Sequence, residues 1–393
     1  MKKKIAIIGA GISGLVFANF LRKESKYNFS LYERNNSIDL NQGYGVQLAV
    51  NSINILNKIG FQSFKTDEKF NPKKIDFYSI KKNNKICALD ISQFNSQSAH
   101  YTSLKRSSLI EFLKENLFTN TIQFNKKIKK INFLNSKIEI NFEDNFSDVV
   151  DYLIISDGIF SSTKLILFDK NVQVNYYGAL AIRATLNIKV IKFLDQNNIS
   201  VFLGPGFHFV IYPLNKKNEF NFIAINLKKS NQKYLNDFKF FEDQNKLKKI
   251  LDEVLINQND NFKEIVNNAK NLKCFPIFCS DKIHKPNQNN VFVLGDALFA
   301  SPPSFAQGAS QSIEAAYELF KILNEDNNNN DFNKYYKNRI NRIKMINRRS
   351  KLNYYVFHLS NPLMVLIRNI ILKIIVTNRR FLNKYLGKIY LKK

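Results

Sequence analysis

A carboxylate that follows a hydrophobic run and precedes a proline turn is the most informative arrangement in this sequence. The run 291–294 predicts a buried strand that ends just before Asp296. Pro302 and Pro303 disfavour a helix there, and Gly308 leads into a helical pattern. The N–H groups at the start of such a helix can hold an anion. The arrangement suits a flavin ring, whose reduced form is anionic.

A glycine fingerprint lies near the other end of the chain. Gly9, Gly11 and Gly14 have G-x-G-x-x-G spacing between a predicted strand and a predicted helix. The first glycine permits a tight turn, the second lets a pyrophosphate approach the backbone, and the third lets helix and strand pack. Glu33 follows about 20 residues later, where an acid accepts a ribose hydroxyl. The segment therefore predicts a bound dinucleotide.

Composition limits the classes of protein to consider. The chain has 393 residues, 45% of them hydrophobic, which is enough for a large core and two domains. Its net charge of +27 is spread over the whole length, so it does not predict a nucleic-acid surface. The three cysteines form no C-x-x-C pair, and we expect neither a disulfide framework nor a metal site. The glycines and the charged helix at the N terminus disfavour a signal peptide, so we expect a cytoplasmic protein.

Three segments between these motifs contain further candidates. Gly45, within segment 43–51, would let the backbone pass close to a flat ring, although a plain hairpin is an alternative. Arg106 precedes an amphipathic helix and is a candidate clamp for phosphates or a ribityl chain, or else an exposed first-turn residue. Asp157 and Gly158 end a hydrophobic strand, and an ordinary turn is their alternative interpretation.

The order of these motifs resembles that of the single-component FAD-dependent aromatic hydroxylases, the para-hydroxybenzoate, salicylate and 3-hydroxybenzoate hydroxylase kind. The resemblance covers most of the chain. Segments 177–183 and 204–213 are most similar to the salicylate and 3-hydroxybenzoate branch. Three positions depart from the usual pattern: Ser156 stands where Ala is usual, Lys164 where Arg is common, and Phe299 where His is frequent.

The resemblance implies bound FAD and a transient NADH or NADPH co-substrate, in agreement with the single G-x-G-x-x-G. It implies that NAD(P)H reduces FAD and that O2 forms a flavin C4a-hydroperoxide, which hydroxylates a phenolic or quinone-precursor-like ring. The residues that it assigns to the cofactor, directly or as neighbours of the motifs, are Gly9, Gly11, Ser13, Gly14, Glu33, Arg34, Gly45, Arg106, Asp157, Gly158, Asp296, Pro302, Gly308 and Ala309. For Arg34 a plain surface position is the alternative.

Three residues are candidates for catalysis. His208 is the one titratable side chain of an apolar strand, and it would take a phenolic proton if it faces the substrate; its alternative is a satisfied core position. Gln307 lies on the flavin turn and would hydrogen-bond the substrate, or cap the helix after Gly308. Tyr212 would offer a hydroxyl group, or simply pack in the strand.

We predict an α/β fold of the GR2 type, with a Rossmann-like FAD-binding domain, an inserted mixed or antiparallel sheet in an α+β substrate domain, and a helical C-terminal tail. The predicted ranges are 1–72, 101–170 and 281–325 for FAD, 73–100 and 171–280 for substrate, and 331–393 for the basic tail. A polar linker is predicted at 324–333. Packing of the tail on the protein or on a subunit is one interpretation, and peripheral membrane contact is the other.

Two other functions stay open at this point. One is a reductase or oxidase that transfers hydride without inserting oxygen, and the other is a non-enzymatic flavin-binding redox regulator. The sequence leaves monomer and homodimer equally open.

Overall fold

A computed structural model describes residues 2–40, 44–82, 84–168, 172–227, 243–255, 260–325 and 332–391. Gly43 and residues 326–331 of the predicted linker lie outside these ranges. The strands are β1 Lys3–Ile8, β2 Tyr27–Tyr32, β3 Gly45–Leu48, β4 Lys69–Phe70, β5 Lys74–Ser79, β6 Asn84–Asp90, β7 Thr102–Lys105, β8 Ile122–Gln123, β9 Ile128–Leu134, β10 Lys137–Phe142, β11 Ser147–Val150, β12 Tyr152–Ile155, β13 Val174–Asn187, β14 Ile199–Gly204, β15 Phe207–Pro213, β16 Glu219–Leu227, β17 Lys270–Ser280 and β18 Val291–Val293.

Twelve α-helical segments are described among these strands. They are α1 Ile12–Leu21, α2 Val50–Asn57, α3 Arg106–Glu115, α4 Ser162–Leu167, α5 Gln244–Leu255, α6 Asp260–Asn268, α7 Gly295–Leu298, α8 Gly308–Asn324, α9 Phe332–Phe357, α10 Pro362–Thr377, α11 Arg379–Leu382 and α12 Lys388–Tyr390. No helix in the described ranges is both long enough and apolar enough to cross a bilayer.

A five-stranded parallel sheet, in the order β18-β12-β1-β2-β8, forms the centre of one half of the molecule. Strands β12 and β18, and β1 from Ile5 onward, are continuously apolar because both of their faces are covered; Ile5, Ile7 and Ile154 have no exposed surface. Helix α1 packs on α8 over this sheet. The carboxyl ends of β1, β12 and β18 therefore meet at one edge, where ligands bind in folds of this type.

A seven-stranded sheet, in the order β17-β13-β16-β15-β14-β5-β6, forms the other half. Its strands are antiparallel except for the β14–β5 pair, and β5 and β6 come from the segment near 73–100. Because successive side chains alternate between faces, Phe202 and Phe209 pack on Phe262 of α6 while their neighbours point the other way. One face of the sheet is thus covered by helices, and the other is left for a cavity.

Helix α9 joins the tail to the parallel half through buried charges. Glu314 of α8 accepts hydrogen bonds from Arg342, at 2.5 and 2.9 Å, and from Arg339, at 3.4 Å. Both arginines and the glutamate are almost fully buried. Arg342 also donates to the carbonyls of Lys388 and Ile389, so this network fixes α12 on the half that contains the parallel sheet.

The predicted fold class is confirmed. The parallel Rossmann-like sheet, the separate sheet with one parallel pair, and the helical C-terminal region all occur as expected. The structure also contains two small antiparallel sheets, β3-β7-β4 and β11-β10-β9, to which the sequence analysis assigned no sheet. The numerical domain boundaries stay predictions.

Candidate active site

One cavity of about 1150 Å³ separates the open face of the seven-stranded sheet from the carboxyl edge of the parallel sheet. On the sheet side it is lined by Arg183, His208, Val210 and Tyr212, among other residues. A smaller cavity of about 250 Å³ adjoins it. Gly11, Arg106, Ser156 and Gly158 line both cavities, so the two form one continuous path.

The glycine turn lies where the two cavities meet. A Cβ atom at Gly14 would come within 2.1 Å of the Gly9 carbonyl oxygen, and one at Gly9 would come within 2.7 Å of Asp157 Cα. Gly9 also has a φ of +98°, which side chains rarely adopt. A Cβ at Gly11, in contrast, meets no described atom within 4 Å. Gly9 and Gly14 are therefore required by packing, while Gly11 faces open space.

Three carboxylates, those of Glu33, Asp39 and Asp157, line the smaller cavity. Glu33 accepts hydrogen bonds from the backbone N–H groups of Ala10, at 2.9 Å, and Asn35, at 3.0 Å, and this ties the end of β2 to the glycine turn. Asp157 Oδ2 accepts from the Thr163 hydroxyl at 2.8 Å, whereas its buried Oδ1 has no hydrogen-bond partner. Burial raises the pKa of Asp157, and hydrogen bonds from Ser161 and Thr163 oppose this rise. Arg34 and Gly158 line the same cavity, with Arg34 exposed.

Asp296 and Arg106 lie together on the wall of the larger cavity. Asp296 is enclosed by protein, yet its side chain is exposed to the cavity. Burial raises the pKa of Asp296, and the nearby Arg106 lowers it. Burial and the neighbouring Arg183 lower the pKa of Arg106, while Asp39 and Asp296 oppose this. Arg106 is therefore a largely buried cation rather than an exposed first-turn residue.

The proline turn forms another wall. After Pro302, a single 3₁₀ turn spans Pro303–Phe305 and α8 begins at Gly308. Pro302, Gly308 and Ala309 line the cavity, as does Ser13 of α1. Gln307 precedes α8 but makes no side-chain capping bond, which does not agree with the capping interpretation. Gln307 lines the cavity, and its buried Nε2 has no hydrogen-bond partner.

Gly45 and Tyr212 pack against each other. A Cβ at Gly45 would lie 2.6 Å from the Tyr212 hydroxyl oxygen and 2.5 Å from Leu214 Cδ2. The flat ring that approaches the Gly45 backbone in this structure is therefore the tyrosine ring. Burial raises the pKa of Tyr212, and Arg183 opposes this. The hydroxyl group of Tyr212 is consequently neutral at ordinary pH.

His208 lines the cavity and is paired with His358, which follows α9. The Nδ1 of His208 lies 2.9 Å from Nε2 of His358, and Nδ1 of His358 lies 2.7 Å from the Tyr354 carbonyl oxygen. A carbonyl only accepts, so His358 donates from Nδ1 and accepts at Nε2. His208 then donates from Nδ1, which leaves its Nε2 as an acceptor.

Both imidazoles are neutral near pH 7. Burial, together with the neighbouring His358, lowers the pKa of His208 well below its ordinary value. Burial also lowers the pKa of His358 to about 4, although the carbonyls of Tyr354 and Ile225 favour its protonated form. We could not have predicted this pair from the sequence, because its members are 150 residues apart.

Arg183, like His358, was not among the site residues predicted from the sequence. It lines the cavity from β13 and lies over the Phe275 ring, at 5.7 Å from the ring centroid. Its buried Nε has no hydrogen-bond partner. Burial lowers the pKa of Arg183, and the groups that oppose this are the hydroxyls of Tyr212 and Tyr44 rather than a carboxylate. The only signal in the sequence was its place in segment 177–183.

These observations fit FAD. The smaller cavity contains the glycine turn and Glu33, which suit an ADP half, and the larger cavity contains the start of the 17-residue helix α8. The open space at Gly11 borders both cavities, and Gln307, whose Nε2 has no hydrogen-bond partner, lines the larger one. The roles assigned to single residues stay predictions.

Comparisons with known proteins agree with this class of site. A family model described as an NAD(P)-binding Rossmann-like domain matches residues 7–41. The chain is 21% identical to 3-amino-4-hydroxybenzoate 2-monooxygenase of Streptomyces cremeus, over 81% of this chain and 78% of that protein. It is 23% identical to salicylate hydroxylase of Pseudomonas putida, over 82% and 77% of the two chains.

A solved structure, Klebsiella pneumoniae HpxO complexed with FAD and uric acid, has the same fold. Its TM-score is 0.86 at 17% identity, and the match covers 98% of this chain and 96% of that one. This chain thus shares its Rossmann-type fold with a protein that binds FAD. The predicted resemblance to the FAD-dependent aromatic hydroxylases is confirmed.

Gly11 and Gly14 provide a matched test of the cofactor site. Gly11→Ala should weaken FAD binding by about tenfold or more, because the new methyl group enters the path of the pyrophosphate. The thermal midpoint of the FAD-free protein should hardly change, since no described atom is close. Gly14→Ala should instead lower that midpoint, because its methyl group collides with the Gly9 carbonyl. Flavin fluorescence titration measures the FAD affinity, and calorimetry measures the thermal midpoint. Unchanged FAD affinity in Gly11→Ala would contradict the proposed position of the pyrophosphate.

Proposed function

We propose that this protein is an FAD-dependent monooxygenase that uses NAD(P)H and O2 to hydroxylate an aromatic, phenolic substrate. The observation that carries the proposal is the single cavity that joins the flavin-type edge of the parallel sheet to the mostly apolar face of the other sheet. Such a chamber keeps water away from the reacting ring. The named relatives are monooxygenases of aromatic compounds, which supports the same class.

In this proposal FAD lies along the continuous path. Gly9, Gly11, Gly14 and Glu33 hold its ADP half, and Arg106 and Asp296 bind the central part. The start of α8, with Gly308 and Ala309, faces the isoalloxazine, and its dipole favours an anionic ring. Bound FAD would pass two electrons from NAD(P)H to O2, so that one oxygen atom of O2 would enter the ring and the other would leave as water. The protein supplies positions, protons and a dry chamber.

His208 is the proposed proton acceptor. Its Nε2 carries a lone pair because its Nδ1 donates to His358. A phenolic hydroxyl that donates to Nε2 becomes richer in electrons, which favours electrophilic attack on its ring. Gln307 is proposed to position the same substrate through its amide Nε2, which has no hydrogen-bond partner. Tyr212 is proposed to donate a hydrogen bond from its neutral hydroxyl.

Arg183 favours a substrate with an acidic group. A buried guanidinium without a carboxylate partner is unfavourable until an anion binds to it. Among aromatic rings this favours a carboxylate or phenolate. Three finer predictions rest on the sequence alone. They concern the use of NADH or NADPH, the state as monomer or homodimer, and the contact of the tail with a membrane.

Activity assays on the FAD-loaded protein test the proposal directly. With a panel of phenols and hydroxybenzoates, we expect NADH or NADPH oxidation, matched O2 uptake and a product heavier by one oxygen atom. NAD(P)H oxidation without oxygen in the organic product would favour the reductase or oxidase alternative. Bound FAD without any turnover across the panel would favour the redox regulator.

Replacement of His208 tests its role. His208→Ala should slow coupled hydroxylation by about 10² to 10⁴ while FAD stays bound. His100→Ala, which changes an exposed histidine, is the control and should behave like the wild type. Because burial lowers the pKa of His208, its neutral form persists as the pH falls through 6.5, so kcat/KM should lose activity only well below that pH. A normal rate in His208→Ala would remove this residue from the mechanism.

Replacement of Arg183 tests the substrate class. Arg183→Gln should raise KM for a hydroxybenzoate by about 10- to 100-fold, because a charged hydrogen bond to the carboxylate is lost. KM for a neutral phenol should change much less. Lys189→Gln, an exposed cation on the same half, is the control. Equal effects of Arg183→Gln on both substrates would show that Arg183 does not select an acidic group.

A further inference from the structure

Helix α10 leaves a large apolar face exposed. Its buried side, with Arg368 and Leu372, is directed at the protein, and the helix packs on strand β6. The other side presents seven large apolar side chains that are each 40–65% exposed. These are Leu363, Met364, Leu366, Ile367, Ile370, Ile371 and Ile374. Their spacing places them on adjoining rows of one helix face, so they form a continuous surface.

The charge of the surrounding chain is strongly one-sided. From Phe332 to the C terminus the sequence has no Asp or Glu, whereas sixteen residues are Lys or Arg. Several of these cations are exposed next to the apolar face: Lys373 lies on α10 itself, and Arg379, Arg380 and Lys384 follow it. The basic bias of the whole chain explains an excess of lysine, but acids are interspersed elsewhere and are missing only here.

The same face forms the lip of the large cavity. Met364, Ile367 and Ile371 are exposed to solvent and also line the cavity. The face therefore lies beside a route by which a molecule could enter. A partner that covers it must accept bulky aliphatic side chains, be negatively charged around them, and leave the lip accessible.

We propose that this face of α10 docks in the interfacial region of an anionic lipid bilayer. Aliphatic side chains enter the boundary between headgroups and acyl chains, while lysine and arginine side chains bind the anionic headgroups. An amphipathic helix with one side fixed to the protein suits this shallow position. Docking would turn the lip of the cavity toward the bilayer.

Vesicle sedimentation tests the proposal with the full-length, FAD-loaded protein. Partition onto vesicles of equal parts phosphatidylglycerol and phosphatidylcholine should exceed partition onto pure phosphatidylcholine by about tenfold or more, and it should weaken as salt rises. The double variant Ile370→Asp, Ile374→Asp should lose this partition. The double variant Phe133→Asp, Leu134→Asp is the matched control, since both side chains are similarly exposed on strand β9 and the total charge change is the same.

Three results would overturn the proposal. One is equal binding to both vesicle types, and another is anionic binding that the double variant retains, because general basic charge would then account for it. The third is a wild type that binds no vesicles and forms a dimer in light scattering, while the double variant is a monomer. The face of α10 would then bind a second copy of the chain. Vesicle binding needs no substrate, so failure of the proposed hydroxylation leaves this result independent.

Discussion

Close packing around Gly9, Gly14 and Gly295 is the constraint on which the site depends. A Cβ at Gly14 would collide with the Gly9 carbonyl, and a Cβ at Gly295 would lie 2.7 Å from Ser13 Oγ and 2.9 Å from Ser312 Oγ. Helices α1, α7 and α8 can therefore meet at one edge only if side chains are missing at these points. This meeting brings the glycine turn, Asp296 and the start of α8 to the same cavity.

The other wall of the cavity depends on the alternation of side chains in the seven-stranded sheet. His208, Val210 and Tyr212 share one face of β15, while Phe207, Phe209 and Ile211 belong to the aromatic and aliphatic core on the opposite face. A shift in register of one residue would exchange the two sets. The core on the helix-covered side thus determines which residues face the cavity, although it lies away from the chemistry.

Much of this arrangement follows from local patterns in the sequence. The glycine spacing, the apolar strands and the proline turn indicate the Rossmann-like half because each acts through neighbours in the chain. The Gly45 interpretation was incomplete, since the ring packed on it belongs to Tyr212. Neither the His208–His358 pair nor the unpaired state of Arg183 could be predicted, because both depend on contacts between distant strands and helices. Where a strand has apolar side chains on both faces, their alternation does not show which face the helices cover.

Asp157 and Asp296 occupy similar sequence motifs, but their surroundings in the folded protein differ. Both Asp157 and Asp296 follow a strand of the parallel sheet, and burial raises the pKa of each. The hydrogen bonds of Asp157 come from Thr163 of the same turn, so this carboxylate stabilises the backbone turn around Gly158. Asp296 instead faces the cavity beside Arg106, with Arg183 nearby. Around Asp296, two guanidinium groups and a helix N terminus face one carboxylate, so this part of the cavity is net positive and favours anionic forms of the ring and acid that bind there.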